Sequence, residues 1–401
     1  MNVWKEQRLG DFITLKYGKG LPERNRILGS YPVFGSGGII GYHNQFLIKG
    51  HGIIVGRKGS IGTVYYSKRD FFPIDTVFYI ELLDGYDIKF VYYLLKGMGL
   101  EKLNSDSAVP GLNRDVAHRQ LCKTPSFLIQ QKIASILSAY DDLIENNTRR
   151  IQILEEMARR IYEEWFVRFR FPGHKHVKMV ESELGFIPEG WEVVALQTLY
   201  ETASGGTPSR KNHAFYNGHI NWVKTQELNG GFIFETNEKI TEEGLKNSST
   251  KLFQKETVLV AMYGATIGAL GILDSPSTTN QACCAIIPSK KFFGFEYAFL
   301  TFLARRTELI ELRTGAAQQN INQITVKNFK MLKPNLTTLS LFNRITNSIL
   351  KQVCFLQKKN NTLRKTRDLL LPKLISGEID VSGFPEPKDL RKAQGKAHES
   401  K

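Results

Sequence analysis

The chain has 401 residues, 42% hydrophobic and 23% charged, ordinary usage for a folded protein of two to three domains. That composition argues against long disorder, a collagen repeat or a disulfide scaffold. A formal net charge of +15 and a pI near 9.5 point instead to a polyanionic partner, nucleic acid above all.

The first segment, Met1 to Gly10, is charged and has no apolar core, so a secretory signal is not expected. From Trp4 to Leu15 the chain reads as a short amphipathic stretch. Polar loops follow at Lys16-Tyr17-Gly18-Lys19-Gly20 and Tyr42-His43-Asn44-Gln45. Gly52 to Tyr66 then spells strand, glycine turn, strand. Its turn, Gly56-Arg57-Lys58-Gly59-Ser60-Ile61-Gly62, sets Arg57, Lys58 and Ser60 on a tight loop. Cations, a hydroxyl and backbone amides so placed can grip phosphates or reach base edges. The same residues also suit an ordinary hairpin with glycines at positive φ.

The strongest periodic signal comes next. Ile133, Leu137, Tyr140, Ile144, Asn147, Ile151, Leu154, Ala158, Ile161 and Trp165 step by four and three without a break, a coiled-coil seam. A linker, Phe171 to Gly190, carries Pro172-Gly173 and Pro188-Glu189-Gly190. Its His174 and His176 lack neighbouring ligands and read as solvated, so no metal is expected.

Trp191 to Leu199 then repeats the opening stretch, and the chain is written a second time with a period near 210 residues. Loop Gly205 to Lys211 carries Thr207, Arg210 and Lys211, and Trp222 to Gln226 carries Lys224, Thr225 and Gln226. Val258 to Gly268 repeats strand and turn, here with Tyr263 and Thr266, and Gln281 ends Thr279-Asn280-Gln281. Amides and hydroxyls of this kind read adenine or thymine edges, although any loop is polar. The uncharged run Thr257 to Leu273 falls short of the roughly 20 residues that span a bilayer and is broken by Gly264, Gly268 and Gly271; it reads as buried strand and turn. Ser107-Ala108 through Asn113 to Pro125 matches Ala316-Ala317 through Asn322 to Pro334 at a constant offset of 209.

A second long helix places Phe342, Ile349, Val353, Leu356, Asn360, Leu363, Leu370 and Leu374 on one seam, with Thr346 and Arg367 as weak points. Forty helical residues extend about 60 Å, too long for one small domain, so the two helices are expected to pair with each other. An antiparallel pair brings Asn147 beside Asn360, where a seam asparagine fixes register at some cost in stability. The other reading has each asparagine facing solvent at a local defect. Eight basic residues stand against Asp368 alone between Leu341 and Ile375. Glu155, Glu156, Glu163 and Glu164 are therefore expected to face that helix, unless it faces another protein or DNA. The stretch Ser382 to Lys401 has little to bury and is expected to be disordered. The domains so drawn are 1–125, 126–171, 172–190, 191–334, 335–381 and the tail 382–401. Four scattered cysteines without C-x-x-C spacing suit a reduced, cytoplasmic protein.

Catalytic signatures are missing. No Pro-Pro dipeptide occurs, which removes the Asp/Asn-Pro-Pro-Tyr/Phe motif of amino-methyltransferases. G-x-x-x-x-G-K-[ST], G-x-S-x-G and H-E-x-x-H are absent, and Gly35 to Gly41 has the wrong spacing for a dinucleotide fingerprint. Two rival classes stay open: a fused enzyme acting alone, tested by methylation without partners, and a coiled-coil adaptor that binds only protein, tested by its indifference to DNA.

Three segments carry a family likeness: Glu164-Trp165-Phe166 leading to Phe171-Pro172-Gly173; Ser182-Glu183-Leu184-Gly185-Phe186-Ile187-Pro188-Glu189-Gly190-Trp191-Glu192-Val193; and Leu371-Pro372-Lys373-Leu374-Ile375-Ser376-Gly377-Glu378-Ile379-Asp380-Val381. With the duplication and the two helices, the chain resembles the specificity subunit of type I restriction-modification systems to about Val381. The resemblance implies an α+β fold: two mixed α/β target-recognition domains separated by two long helices pairing as an antiparallel coiled coil, which act as a ruler. It implies a non-catalytic subunit that reads an interrupted bipartite target in double-stranded DNA, one half per domain. The implied partners are two modification (methyltransferase) subunits, which methylate adenine with S-adenosylmethionine, and two restriction subunits using ATP and magnesium. The chain itself then needs no cofactor. Since the two copies differ in their loops, the two half-targets should differ.

Overall fold

The computed structural model describes residues 4–103, 111–288, 293–313 and 320–385. Two compact units divide the chain: Met1–Glu145 with Thr362–Lys401, and Asn146–Asn361. The repeated pairs Ser107-Ala108 and Ala316-Ala317, and most of the expected tail, lie outside the described residues.

The first unit is built on β1 (Ile13–Tyr17), β2 (Gly52–Gly56), β3 (Val64–Ser67) and β4 (Val77–Leu82), in the antiparallel order β1-β4-β2-β3. Strand β2 is buried along its whole length, because both faces of the sheet are covered. Ile53 and Val55 join a large core with Leu15, Phe78 and Leu94, while Ile54 packs with Phe34, Phe71 and Val77. Helix α1 (Ile88–Gly97) starts at Asp87, whose carboxylate accepts from the amides of Lys89 and Phe90. It turns a stripe including Phe90, Val91 and Leu94 into that core. Beside the sheet, Tyr31–Gly35 pairs antiparallel with Gly38–His43 and parallel with Phe72–Pro73. Lys5–Arg8 pairs with Leu121–Thr124.

The second unit repeats this plan. Strands β5 (Glu201–Ser204), β6 (Phe232–Ile233), β7 (Val258–Ala261), β8 (Leu270–Leu273) and β9 (Cys283–Ile287) run in the order β5-β9-β7-β8-β6. The first four reproduce β1-β4-β2-β3, and β6 is an added parallel edge. Tyr216–Val223 lies antiparallel to Lys239–Ile240 and parallel to Thr278–Thr279, and Glu192–Ala195 pairs with Lys330–Lys333. Every residue from Phe295 to Phe302 in α3 (Phe295–Ala304) is buried, including Glu296, which accepts from the Asn347 amide, and Thr301, which donates to the carbonyl of Tyr297. Burial likewise pushes the thiols of Cys283 and Cys284 up to about 12.

Two long helices, α2 (Phe127–Tyr162) and α4 (Leu336–Ser376), each contribute a segment to both units, and in each unit they run antiparallel. In the first, Asp141 meets Arg367, and Lys132 donates to the carbonyl of Ser382, further along the chain. In the second, Asn147 meets Asn360 and Tyr162 packs on Phe342. All ten seam positions of the first helix are buried or half-buried. The weak points of the second are explained. Thr346 returns its hydroxyl to the carbonyl of Phe342, and Arg367 is held by Asp141 and Asp368.

The expected cross-helix charge pattern is corrected for Glu156, Glu163 and Glu164. Glu156 and Glu163 pair with arginines 159 and 160 on their own helix, and Glu164 pairs with Arg168 and Arg170. Spacings of three and four residues along a helix bring such partners together locally. Past Tyr162 the helix loosens into a π-turn, Glu163–Val167. It sets Trp165 and Phe166 against Phe342, and Phe166 against Trp191, which stacks on Phe171 with centroids 5.1 Å apart.

Candidate nucleic-acid interface

The topology brings the same four loops together in each unit. In the first, the amide of Lys19 donates to the carbonyl of Pro73, those of Arg57 and Lys58 to Thr76, and that of Leu112 to Arg57. In the second, Gly206 donates to Thr279, Met262 to Ala282, and Ile321 to Met262. A short helix then starts at Asn113 or Asn322, each side chain capping it. The two glycine turns share their closing bonds: Gly62 to the carbonyl of Gly56 at 2.9 Å, and Gly268 to Ala261 at 2.9 Å. Gly62 is required by its φ of +67°, and because an added Cβ would lie 2.2 Å from the backbone nitrogen of Glu101.

Side chains on this shared frame differ. In the first unit Lys19, Lys58 and Ser60 are exposed and Arg57 is half-buried. Arg57 donates through Nε (3.1 Å) and Nη2 (2.6 Å) to the carbonyl of Asp75 and lies over the ring of Tyr17, 5.2 Å from its centroid. Arg114 lies 5.8 Å from the centroid of the same ring. Tyr17 is 53% exposed, so the ring and its two guanidiniums form a surface rather than a core contact.

In the second unit Arg210 and Lys224 converge on Glu238, at 2.6 and 2.5 Å. Hydrogen bonds from Arg210 and then Lys224 hold that carboxyl down at about 2. Arg210 also lies over Tyr216 and Trp222, 4.5 and 5.1 Å from their centroids. Thr207 donates to the side-chain oxygen of Gln281 at 2.5 Å, and Thr266 donates to the carbonyl of Tyr263. Thr225 and Gln226 sit on a short 3-10 turn. No side-chain bond among the described residues joins Lys19, Lys58, Ser60, Lys211 or Gln226 to another of these positions.

Three polar candidates are structural. His43 is buried with Nδ1 beside the backbone of Ile27, Thr279 is fully buried, and the Trp222 indole donates to the carbonyl of Gly206. Sequence reasoning missed Glu238, Tyr216 and Arg114. The first two reach Arg210 only through the fold; Arg114, directly after the capping Asn113, was findable once that cap had been read.

Among the described residues, no group of three or more His, Cys, Asp or Glu is placed to hold a metal, and no helix is long and apolar enough to cross a membrane.

Comparison with known proteins agrees with this frame. A family model described as type I restriction modification DNA specificity domain matches residues 1–156 and 188–365. The MjaIX specificity subunit of Methanocaldococcus jannaschii is 29% identical over 307 residues, 74% of this chain and 70% of that one. The HindI specificity subunit of Haemophilus influenzae is 26% identical over 308 residues, covering 62% and 67%. The MjaVIII specificity subunit of M. jannaschii is 23% identical over 404 residues, covering 95% and 94%. Among solved structures, the S subunit of a type I restriction-modification system from M. genitalium superposes with a TM-score of 0.68 at 17% identity, covering 95% of this chain and 97% of that one, a likeness of fold.

Proposed function

The chain belongs to the type I restriction-modification DNA specificity family, as a non-catalytic specificity subunit, and from that premise we propose that it reads an interrupted, two-part target in double-stranded DNA. Each unit takes one part. Partner modification subunits methylate an adenine in each part, and restriction subunits cleave; S-adenosylmethionine, ATP and magnesium are theirs. The complex works in the cytoplasm.

One observation carries this reading. Two units with the same strand order present the same four loops, and the side chains on those loops differ. A shared frame with exchanged side chains suits two readers of different sequences, because base edges are distinguished by donor and acceptor pattern. A net charge of +15 supplies the sequence-independent attraction to phosphate. The proposed contacts are Lys19, Arg57, Lys58 and Ser60 in the first unit. In the second they are Thr207, Arg210, Lys211, Lys224, Thr225, Gln226, Tyr263, Thr266 and Gln281.

The test is a single-molecule adenine methylome of a host expressing this chain with its modification subunit, against the modification subunit alone. A new interrupted motif, methylated on both strands and dependent on this chain, is expected. A stable complex that adds no motif would sink the reading, and loss of any complex would favour a protein-binding adaptor.

A further inference from the structure

The two hydrogen-bond frames share three equivalent positions. The last residue of the first strand is Tyr17 in one unit and Ser204 in the other, each followed by a glycine close against the next loop. The first turn residue after the central strand is Arg57 or Met262, whose carbonyls accept from Leu112 and Ile321. The residue after the capping asparagine is Arg114 or Gln323. The positions touch in both units with different chemistry: Arg114 lies over Tyr17, whereas Ser204 donates to Gln323.

The second set is closed on itself. Met262 is buried, and the Gln323 amide donates to the carbonyl and the hydroxyl of Thr202 while its oxygen accepts from Ser204. In the first unit the set opens outward. Tyr17 is 53% exposed, and the Arg114 side chain is 42% exposed, with a 3.4 Å contact from its Nε to Asp115. The carbonyl of Asp75 fixes Arg57 in orientation through two of its five N–H donors.

We propose that Tyr17, Arg57 and Arg114 form a guanine-reading triad of the first unit, deepening the DNA-reading function on which it rests. Guanine offers two acceptors, N7 and O6, at the spacing of a guanidinium fork, and arginine is the side chain that most often reads it. The tyrosine ring that both cations approach holds the guanidiniums by cation–π attraction without consuming their donors. The second unit, with no arginine at these positions, reads by other contacts. The part of the target assigned to the first unit therefore contains a guanine whose recognition depends on this triad.

The methylome assay and salt-dependent DNA binding test this on the complex with its modification subunit. Arg114→Gln is the main variant, because its side chain lies at the surface; Arg57→Gln and Tyr17→Leu accompany it, with thermal unfolding to show that each folds. Arg114→Gln and Arg57→Gln are expected to relax the motif at one guanine of one half-target by roughly ten- to hundred-fold in discrimination, leaving the other half unchanged. Tyr17→Leu, which removes the ring from both guanidiniums, is expected to relax the motif at the same guanine, by less than loss of an arginine. A uniform loss of affinity on every sequence, with the salt slope reduced by about one, would assign the arginines to phosphate and overturn the triad. An unchanged motif in folded variants would overturn it too. In either case a wild-type motif dependent on this chain leaves the DNA-reading function standing; absence of a wild-type motif is the separate failure of that function.

Discussion

At the scale of single residues, glycine turns give a clean comparison. Gly62 and Gly264 have nearly the same φ, +67° and +69°, but an added Cβ meets the Glu101 backbone at 2.2 Å in one case and open space in the other. Gly264→Ala should cost only the left-handed strain of about 1–2 kcal/mol. Gly62→Ala should cost clearly more, since backbone must move, and the difference in thermal midpoint measures the clash. Glu238 gives a titration. Its carboxyl is held at about 2 in the folded protein by Arg210 and Lys224, below the unfolded value, so its contribution is complete above roughly pH 4.5 and is lost as pH falls toward 2. Glu238→Gln should flatten the pH dependence of stability in that window, and Lys224→Met should move the carboxyl titration upward in an NMR pH series. Neither effect was legible in the sequence. Glu238 lies 14 residues from Lys224 and 28 from Arg210, and only the pairing of Tyr216–Val223 with Lys239–Ile240 folds them together.

Among the elements, the helices were the most legible part, because a seam of ten unbroken positions leaves little choice of face. Side-chain reach was not legible. Glu156 and Glu163 found arginines one turn away, whereas one cross-helix ion pair joins Asp141 to Arg367, a residue that looked like a defect in an apolar seam. Asn147 shows why a polar seam residue is tolerated: its Nδ2 donates to Asn360 at 2.9 Å, and Asn360 donates on to Thr148. Asn147→Leu strands a buried amide and should destabilise by about 1–3 kcal/mol in denaturant unfolding. Adding Asn360→Leu should recover stability, while disulfide-trapping of neighbouring positions on the two helices should reveal more than one register. A single register in the double variant would show that other contacts set the pairing.

For the molecule as a whole, the duplication seen in sequence proves to be a duplication of topology, down to the bonds that close each glycine turn. The loops could be named from the sequence but not assigned a partner. Contacts such as Tyr17 with Arg114 join residues 97 apart, and local composition says nothing about them. A modular consequence follows. Exchanging residues 1–125 for the matching segment of another specificity subunit should replace one half of the methylated motif and leave the other intact, read directly by methylome sequencing. Change in both halves would show that the units do not read separately.

The first unit is assembled from both ends of the described chain, with Leu374 and Val381 in one core with Ile133 and Leu137. Synthesis runs in one direction, so the ribosome releases the continuous stretch Asn146–Asn361 before the first unit has its last packing partners. The unit translated first is thus finished last. A nonsense codon soon after Asn361 should disable the amino-terminal unit while sparing the later one, seen as protease sensitivity mapped to residues before 145. Such an arrangement keeps an incomplete translation product from carrying a finished first unit.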